Sequence, residues 1–118
     1  MKIKQVNKSI RRLSIGTIEG FVLLDFDSIN YLLSDNNYTI FYLTNNSKFV
    51  ASKNIGYFEK RLQNDVFIRI HNTIIVNFSK VIKYRNDDGG RVILFNNKSL
   101  PVSRSRKKLV LEAFKRLC

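Results

Sequence analysis

The chain alternates apolar and polar positions with a period of two over most of its length. The runs are LSIGTI (13–18), FVLLDF (21–26), INYLLS (29–34), YTIFYLT (38–44) and KFVAS (48–52). Short β-branched and aromatic runs separated by turn-forming residues predict strands. The separators carry matching chemistry. Gly20, Asp35-Asn36-Asn37 and Asn45-Asn46 are residue types that accept a left-handed backbone or bond their own main chain. The period then changes. Ile55, Phe58, Glu59 and Leu62 recur at i, i+3, i+4 and i+7, with Lys60 and Arg61 opposite. That spacing predicts a short amphipathic helix, capped by Ser52 or Asn54. Strand alternation resumes in VFIRI (66–70) and TIIVN (73–77), with a kink at His71-Asn72, and continues in VIKYR (81–85) and RVILF (91–95) around the Asp87-Asp88-Gly89-Gly90 loop. Asn96-Asn97 leads to KSLPVS, whose Pro101 suits an edge strand or a strand end. Ser103 or Ser105 is expected to cap a last helix running to about Leu117, with Leu109, Val110, Ala113, Phe114 and Leu117 inward. Residues 1–11 carry no period and read as a flexible start or linker stub, which leaves 12–118 as one domain. The fold class expected is mainly β: stacked antiparallel sheets with one short middle helix and a C-terminal helix.

Composition narrows the function more than the fold. The 118 residues are 44% apolar, enough for one core-bearing domain. Lys and Arg total 21 against nine acids, a formal charge of +12 and a pI of about 10.1. Such a chain attracts polyanions, with nucleic acid ahead of an anionic membrane surface as partner; plain basicity is the bland alternative. Cys118 is the only cysteine and His71 the only histidine, so neither an internal disulfide nor a Cys/His zinc site is expected. No metal, cofactor or membrane partner is implied. The start lacks an export signal and no run is long enough to span a bilayer, which fits a cytoplasmic protein. The chain also lacks a Gly-rich phosphate loop and a nucleophile elbow, which argues against an enzyme.

Two stretches carry the candidate chemistry. FIRIHNTIIVN (67–77) couples strand alternation to Arg69, His71, Asn72 and Thr73. LPVSRSRKKL (100–109) places Arg104, Arg106, Lys107 and Lys108 at the expected helix start. Forked donors and amides in a basic setting suit phosphates and base edges. Each also has a structural reading. Asn37 and Asn72 are turn formers, His71 is a hydrogen-bonder beside a strand, and Arg69 has a structural or backbone-contacting role. A second functional class remains open: Tyr31, Tyr38, Phe41 and Tyr42 near basic residues would make a stacking platform for single-stranded RNA if they were exposed on one face.

Three blocks resemble the LytTR family, the DNA-binding domain of LytR/AlgR-type response regulators of bacteria. They are INYLLSDNNYTIFYL (29–43), FIRIHNTIIVNFSKVIKY (67–84) and LPVSRSRKKLVLEAF (100–114). The resemblance runs over about residues 12–117. It implies a fold of stacked antiparallel sheets that inserts loops into successive major grooves of double-stranded DNA. By position it implies base contacts at Asn37, Asn72 and Arg104, and phosphate contacts at His71, Thr73, Ser103, Arg106, Lys107 and Lys108. It further implies DNA with repeated half-sites, self-pairing on that DNA and a receiver domain upstream. The family usually has Arg then Ser after the signature His; here Asn72 and Thr73 stand there. Asn can pair with adenine N6 and N7, so the departure bears on which sequence is preferred.

Overall fold

In the computed structural model, which describes residues 11–63 and 66–118, the period-two runs form strands throughout. The flexible start expected over 1–11 falls outside the described residues except for Arg11. A first hairpin joins β1 (Arg12–Thr17) to β2 (Gly20–Asp25). β3 (Ile29–Asp35), β4 (Tyr38–Leu43) and β5 (Lys48–Ala51) follow, then helix α1 (Ile55–Leu62). β6 (Phe67–His71) and β7 (Ile74–Asn77) complete an antiparallel five-stranded sheet in the order β5-β4-β3-β7-β6. β8 (Val81–Arg85), β9 (Arg91–Leu94) and β10 (Ser99–Pro101) form a separate three-stranded sheet, with Pro101 ending an edge strand. A 3-10 turn (Arg104–Arg106) then runs into helix α2 (Lys107–Lys115).

Turn chemistry follows the sequence closely. Asn36, Asn46 and Asn97 all take left-handed backbone, at φ of 56°, 69° and 68°. Of the two cap candidates for α1, Asn54 serves: its side chain accepts the Tyr57 N–H at 3.0 Å.

The C-terminal helix departs from expectation. Neither Ser103 nor Ser105 caps α2; their hydroxyls face each other at 3.4 Å, and a 3-10 turn delays the helix to Lys107. With so late a start and an end at Lys115, only a narrow stripe turns inward. Val110 and Ala113 are buried, and Phe114 is half-buried against the rings of Phe78 and Tyr84. Leu109 and Leu117, expected inward, are 48% and 79% exposed. Leu117 lies beyond the last helical turn. Leu109 borders an open cleft with Phe67, Ile68 and Arg106.

The five-stranded sheet is apolar on both faces and separates two cores. One face packs Leu32, Phe41 and Ile75 against Leu13 and Ile15 of β1 and against Ile55, Phe58 and Leu62 of α1. The other packs Tyr31, Ile70, Ile74 and Val76 against Val92, Leu94, Leu100 and Val110. At one end of the central strands Asn77 is 1% exposed and fully engaged. Its amide donates to the carbonyls of Phe26 (3.1 Å) and Ile29 (2.8 Å), and its oxygen accepts from the backbone N–H (3.0 Å) and hydroxyl (2.6 Å) of Ser79. One side chain thus ties the entry of β3 to the exit of β7.

Two stability predictions follow. Asn77→Ala leaves the buried Ile29 carbonyl and the partly buried Phe26 carbonyl without this donor and is expected to cost about 2–3 kcal/mol in denaturant unfolding, with the slope unchanged. Tyr31 stacks on Tyr42 with ring centroids 4.4 Å apart. Burial, and then the neighbouring Tyr42, push its phenol up to about 12. A phenol raised above its unfolded value of about 10 adds stability that is fully present below that pH and lost as pH rises through its folded value. Tyr31→Phe should therefore flatten the fall in melting temperature between about pH 10 and 12. An identical fall in both proteins would exclude this role for Tyr31.

Candidate nucleic-acid interface

Antiparallel register decides which loops share an end of the molecule. β3 pairs with β4 out to Asp35 and Tyr38, so Asn36-Asn37 forms the tight turn there. β3 also pairs with β7, Leu33 opposite Ile74, and the Ser34 N–H donates to the Thr73 carbonyl at 2.8 Å. The β6–β7 turn, with Asn72 and Thr73, therefore lies beside the β3–β4 turn. The third segment is stitched on by two backbone bonds: Val102 N–H donates to the Gly90 carbonyl at 3.0 Å and Ser103 N–H to the Ile70 carbonyl at 2.9 Å. That brings the Arg104–Arg106 turn against the end of β6. Residues separated by some 65 positions in the chain thus meet at one end of the sheet.

Within this end the side chains divide into held and exposed. In the Asn36-Asn37 pair, Asn36 supplies the left-handed backbone and Asn37 is left exposed. Asn72 and Arg104 are exposed too. His71 is half-buried, and its Nδ1 accepts the Thr73 N–H at 3.2 Å and meets the Thr73 hydroxyl at 3.0 Å. With Nδ1 accepting, the neutral ring carries its proton on Nε2, where it is a donor. Ser103, Arg106 and Lys107 are half-buried and Lys108 is exposed. All nine residues picked out by the sequence therefore lie on these segments or the helix start that continues them.

The cations at this end are largely unmatched. Elsewhere Arg12 pairs with Asp25 at 3.2 Å, Lys80 with Asp27 at 3.0 Å, and Arg85 with Asp87, while Lys48, Lys83 and Lys98 also have no such pair among the described residues. The Arg85 bond holds the Asp87 carboxyl below the usual range. Among the described residues no carboxylate lies within ion-pair distance of Arg104, Lys107 or Lys108. The 3-10 turn and the first turn of α2 carry no acid. Cations at a helix N-terminus oppose the backbone dipole and cost stability. The same arrangement, facing an anion, sums side-chain and main-chain attraction.

Two further residues belong to this end, and neither is among the nine candidates. Lys53 lies outside the three sequence blocks. Ala51 pairs with Thr39, and the Thr39 hydroxyl donates to the Lys53 carbonyl at 2.8 Å, which seats Lys53 beside the Asn36-Asn37 turn. Counting register along β4 and β5 would have found it. Glu59 looked like part of an apolar stripe; it instead bonds Arg69 at 2.5 Å and stands 4.0 Å from Arg106. No local signal reveals that, because Arg69 and Arg106 reach it from other elements.

The tyrosine platform does not form as a unit. Tyr31 and Phe41 are buried in opposite cores, Tyr42 is half-buried, and Tyr38 is the exposed one of the four. Among the described residues no group of three or more His, Cys, Asp or Glu gathers as a metal site, and no helix is long and apolar enough to cross a membrane.

Comparison with known proteins gives a consistent picture. Residues 19–115 match the family model described as the LytTr DNA-binding domain. No curated protein matches the chain. A solved LytTr DNA-binding domain from Bacillus cereus superposes with a TM-score of 0.72, covering 86% of this chain and 94% of that one at 22% identity; at that identity the likeness speaks for the fold.

The unmatched cations yield a test. Lys108→Glu is expected to stabilise the domain by about 0.5 kcal/mol through the helix dipole, while shortening its retention on immobilised heparin. A variant that loses stability would show that Lys108 is held by interactions other than those described.

Proposed function

The chain belongs to the LytTR family of DNA-binding domains, and from that premise we propose that it is the sequence-specific, double-stranded DNA-binding domain of a transcription regulator, which inserts its loops into successive major grooves. The observation that carries this reading is the convergence of three exposed segments, each with a donor side chain, at one end of the five-stranded sheet. Asn37, Asn72 and Arg104 are the base readers. Arg104 presents a planar fork matched to guanine O6 and N7, and the two amides match adenine N6 and N7. Around them, Ser103, Arg106, Lys107 and Lys108 hold phosphates, Thr73 contributes its hydroxyl, and His71 donates from Nε2. This division is the usual one: phosphate contacts fix register and base contacts confer specificity.

Three loops gathered at one end of the sheet make a reader unlike a recognition helix. Bases are met by side chains whose spacing is set by strand pairing, so orientation is settled before DNA arrives. One such end spans a short site. Pairing of two copies on repeated half-sites would give the affinity and length that a regulator needs, and a receiver domain upstream would make that pairing respond to phosphorylation.

Selection of bound fragments from randomised duplex DNA at low and physiological salt tests the reading. A short repeated motif that survives the higher salt is expected. Arg104→Ala should then remove about 1–3 kcal/mol of discrimination at one position. Lys107→Ala should weaken all sequences alike and reduce the salt slope by about one. Binding that enriches nothing and collapses with salt would leave charge alone as the explanation. The isolated domain is expected to run as a monomer in gel filtration at micromolar concentration; a tight dimer would count against pairing on DNA.

A further inference from the structure

We propose that Arg69, anchored by Glu59, is the positioning residue that sets base discrimination at Asn72. The proposal rests on the reading above, in which Asn72 faces a base.

The argument begins with a bulge. The β6–β7 register shifts between Arg69 and His71, with Ile70 the extra residue; up to that bulge strand alternation turns Ile68 and Ile70 toward the second core. Arg69 then points to the other side, toward α1. There its guanidinium makes three bonds. Nη1 donates to Glu59 Oε1 at 2.5 Å, Nε to the His71 carbonyl at 3.2 Å, and Nη2 to the Asn72 carbonyl at 2.5 Å. The His71 carbonyl belongs to the peptide before the Asn72 Cα, and the Asn72 carbonyl to the peptide after it. Pinning both peptide planes fixes φ and ψ of Asn72, and with them the direction of its Cα–Cβ bond. His71 closes the turn from its other side through Nδ1 and the Thr73 N–H.

Everything around Asn72 is therefore held, and its side chain alone is left exposed. An amide pairing with adenine must deliver its oxygen and nitrogen together in the plane of the base. Such contacts tolerate about 0.5 Å and 10–20° of error. A planar five-donor fork can bridge two carbonyls and a carboxylate in one fixed geometry; an ammonium cannot. The Arg69 side chain is only 12% exposed, so its role is exerted through the loop and not on DNA. Glu59, on a helix that carries none of the reading residues, thereby reaches the specificity of the site. Its second oxygen stands 4.0 Å from Arg106, so the same carboxylate links the Asn72 turn to the 104–106 turn.

The test compares wild type, Asn72→Ala, Arg69→Lys and the double variant on the selected duplex and its single-base substitutions. Asn72→Ala identifies the base position that this residue reads. Arg69→Lys is expected to reduce discrimination there from about tenfold or more to about twofold. The preference lost in Arg104→Ala should be kept, and the salt slope should not change. In the Asn72→Ala background, Arg69→Lys should leave the ratios where they are. A purely structural arginine would lower the melting temperature and leave every ratio intact, or weaken all positions alike; either result overturns the proposal. Should Arg69→Lys fail to fold by circular dichroism, Glu59→Ala, a helix-favouring change that removes the anchor along with the approach to Arg106, carries the same test in the ratios at the position read by Asn72. If Asn72→Ala alters no position, the assignment of Asn72 as a reader fails and the clamp with it. If Asn72→Ala alters one position that Arg69→Lys and Glu59→Ala both preserve, the clamp alone is wrong.

Discussion

The pairing of β3 with β7 is the constraint on which the rest of the molecule depends. These strands are far apart in sequence, and their register, Tyr31 opposite Val76 and Leu33 opposite Ile74, does two things together. It sends Leu32 and Ile75 into one core and Tyr31, Leu33, Ile74 and Val76 into the other. It also seats the β3–β4 turn beside the β6–β7 turn. A slip of one residue would exchange the faces of the strand and misplace the turn, so the burial that stabilises the sheet also specifies the interface. The register is held at both ends, by Asn77 on the Phe26 and Ile29 carbonyls and by Ser34 on Thr73.

Charge around this frame is balanced at a few places and left open at others. At other places on the surface, Asp25, Asp27 and Asp87 each answer a cation. Exposed pairs of this kind contribute little to stability, but they lower the field that a +12 chain would otherwise present everywhere. At the reading end the cations of the 3-10 turn and α2 are left without such answers, apart from the Glu59–Arg106 approach. The self-repulsion and the opposed helix dipole cost stability there. An anion held there would relieve both.

Legibility in the sequence followed the range of the forces involved. Strands, turns and α1 were readable because alternation, Asn in left-handed positions and an i, i+3, i+4, i+7 stripe are local. Asn54 was one of two cap candidates for the same reason. The C-terminal helix was read too generously. Its periodic leucines suggested a wide inner face, but the 3-10 turn from Arg104 to Arg106 shifts the helix start, and Leu109 and Leu117 fall outside the stripe that meets Phe78 and Tyr84. Arg69 illustrates the intermediate case. Its type and place in the strand suggested a structural or backbone-contacting role, whereas its three bonds depend on the β6–β7 turn and on a helix that precedes the strand.

The sequence by itself determined that this is a basic, mainly β domain, and its three blocks carried the LytTR likeness and the nine candidate contacts. Those properties reside in residue type and spacing. Tertiary structure alone decided that Asn37, Asn72 and Arg104 share one end, that Lys53 joins them, and that Glu59 and Arg69 stand behind Asn72. These depend on antiparallel register and on the backbone bonds from Val102 and Ser103 to Gly90 and Ile70. Register is a relation between distant segments, set by which faces can be buried together, and no window along the chain contains both partners.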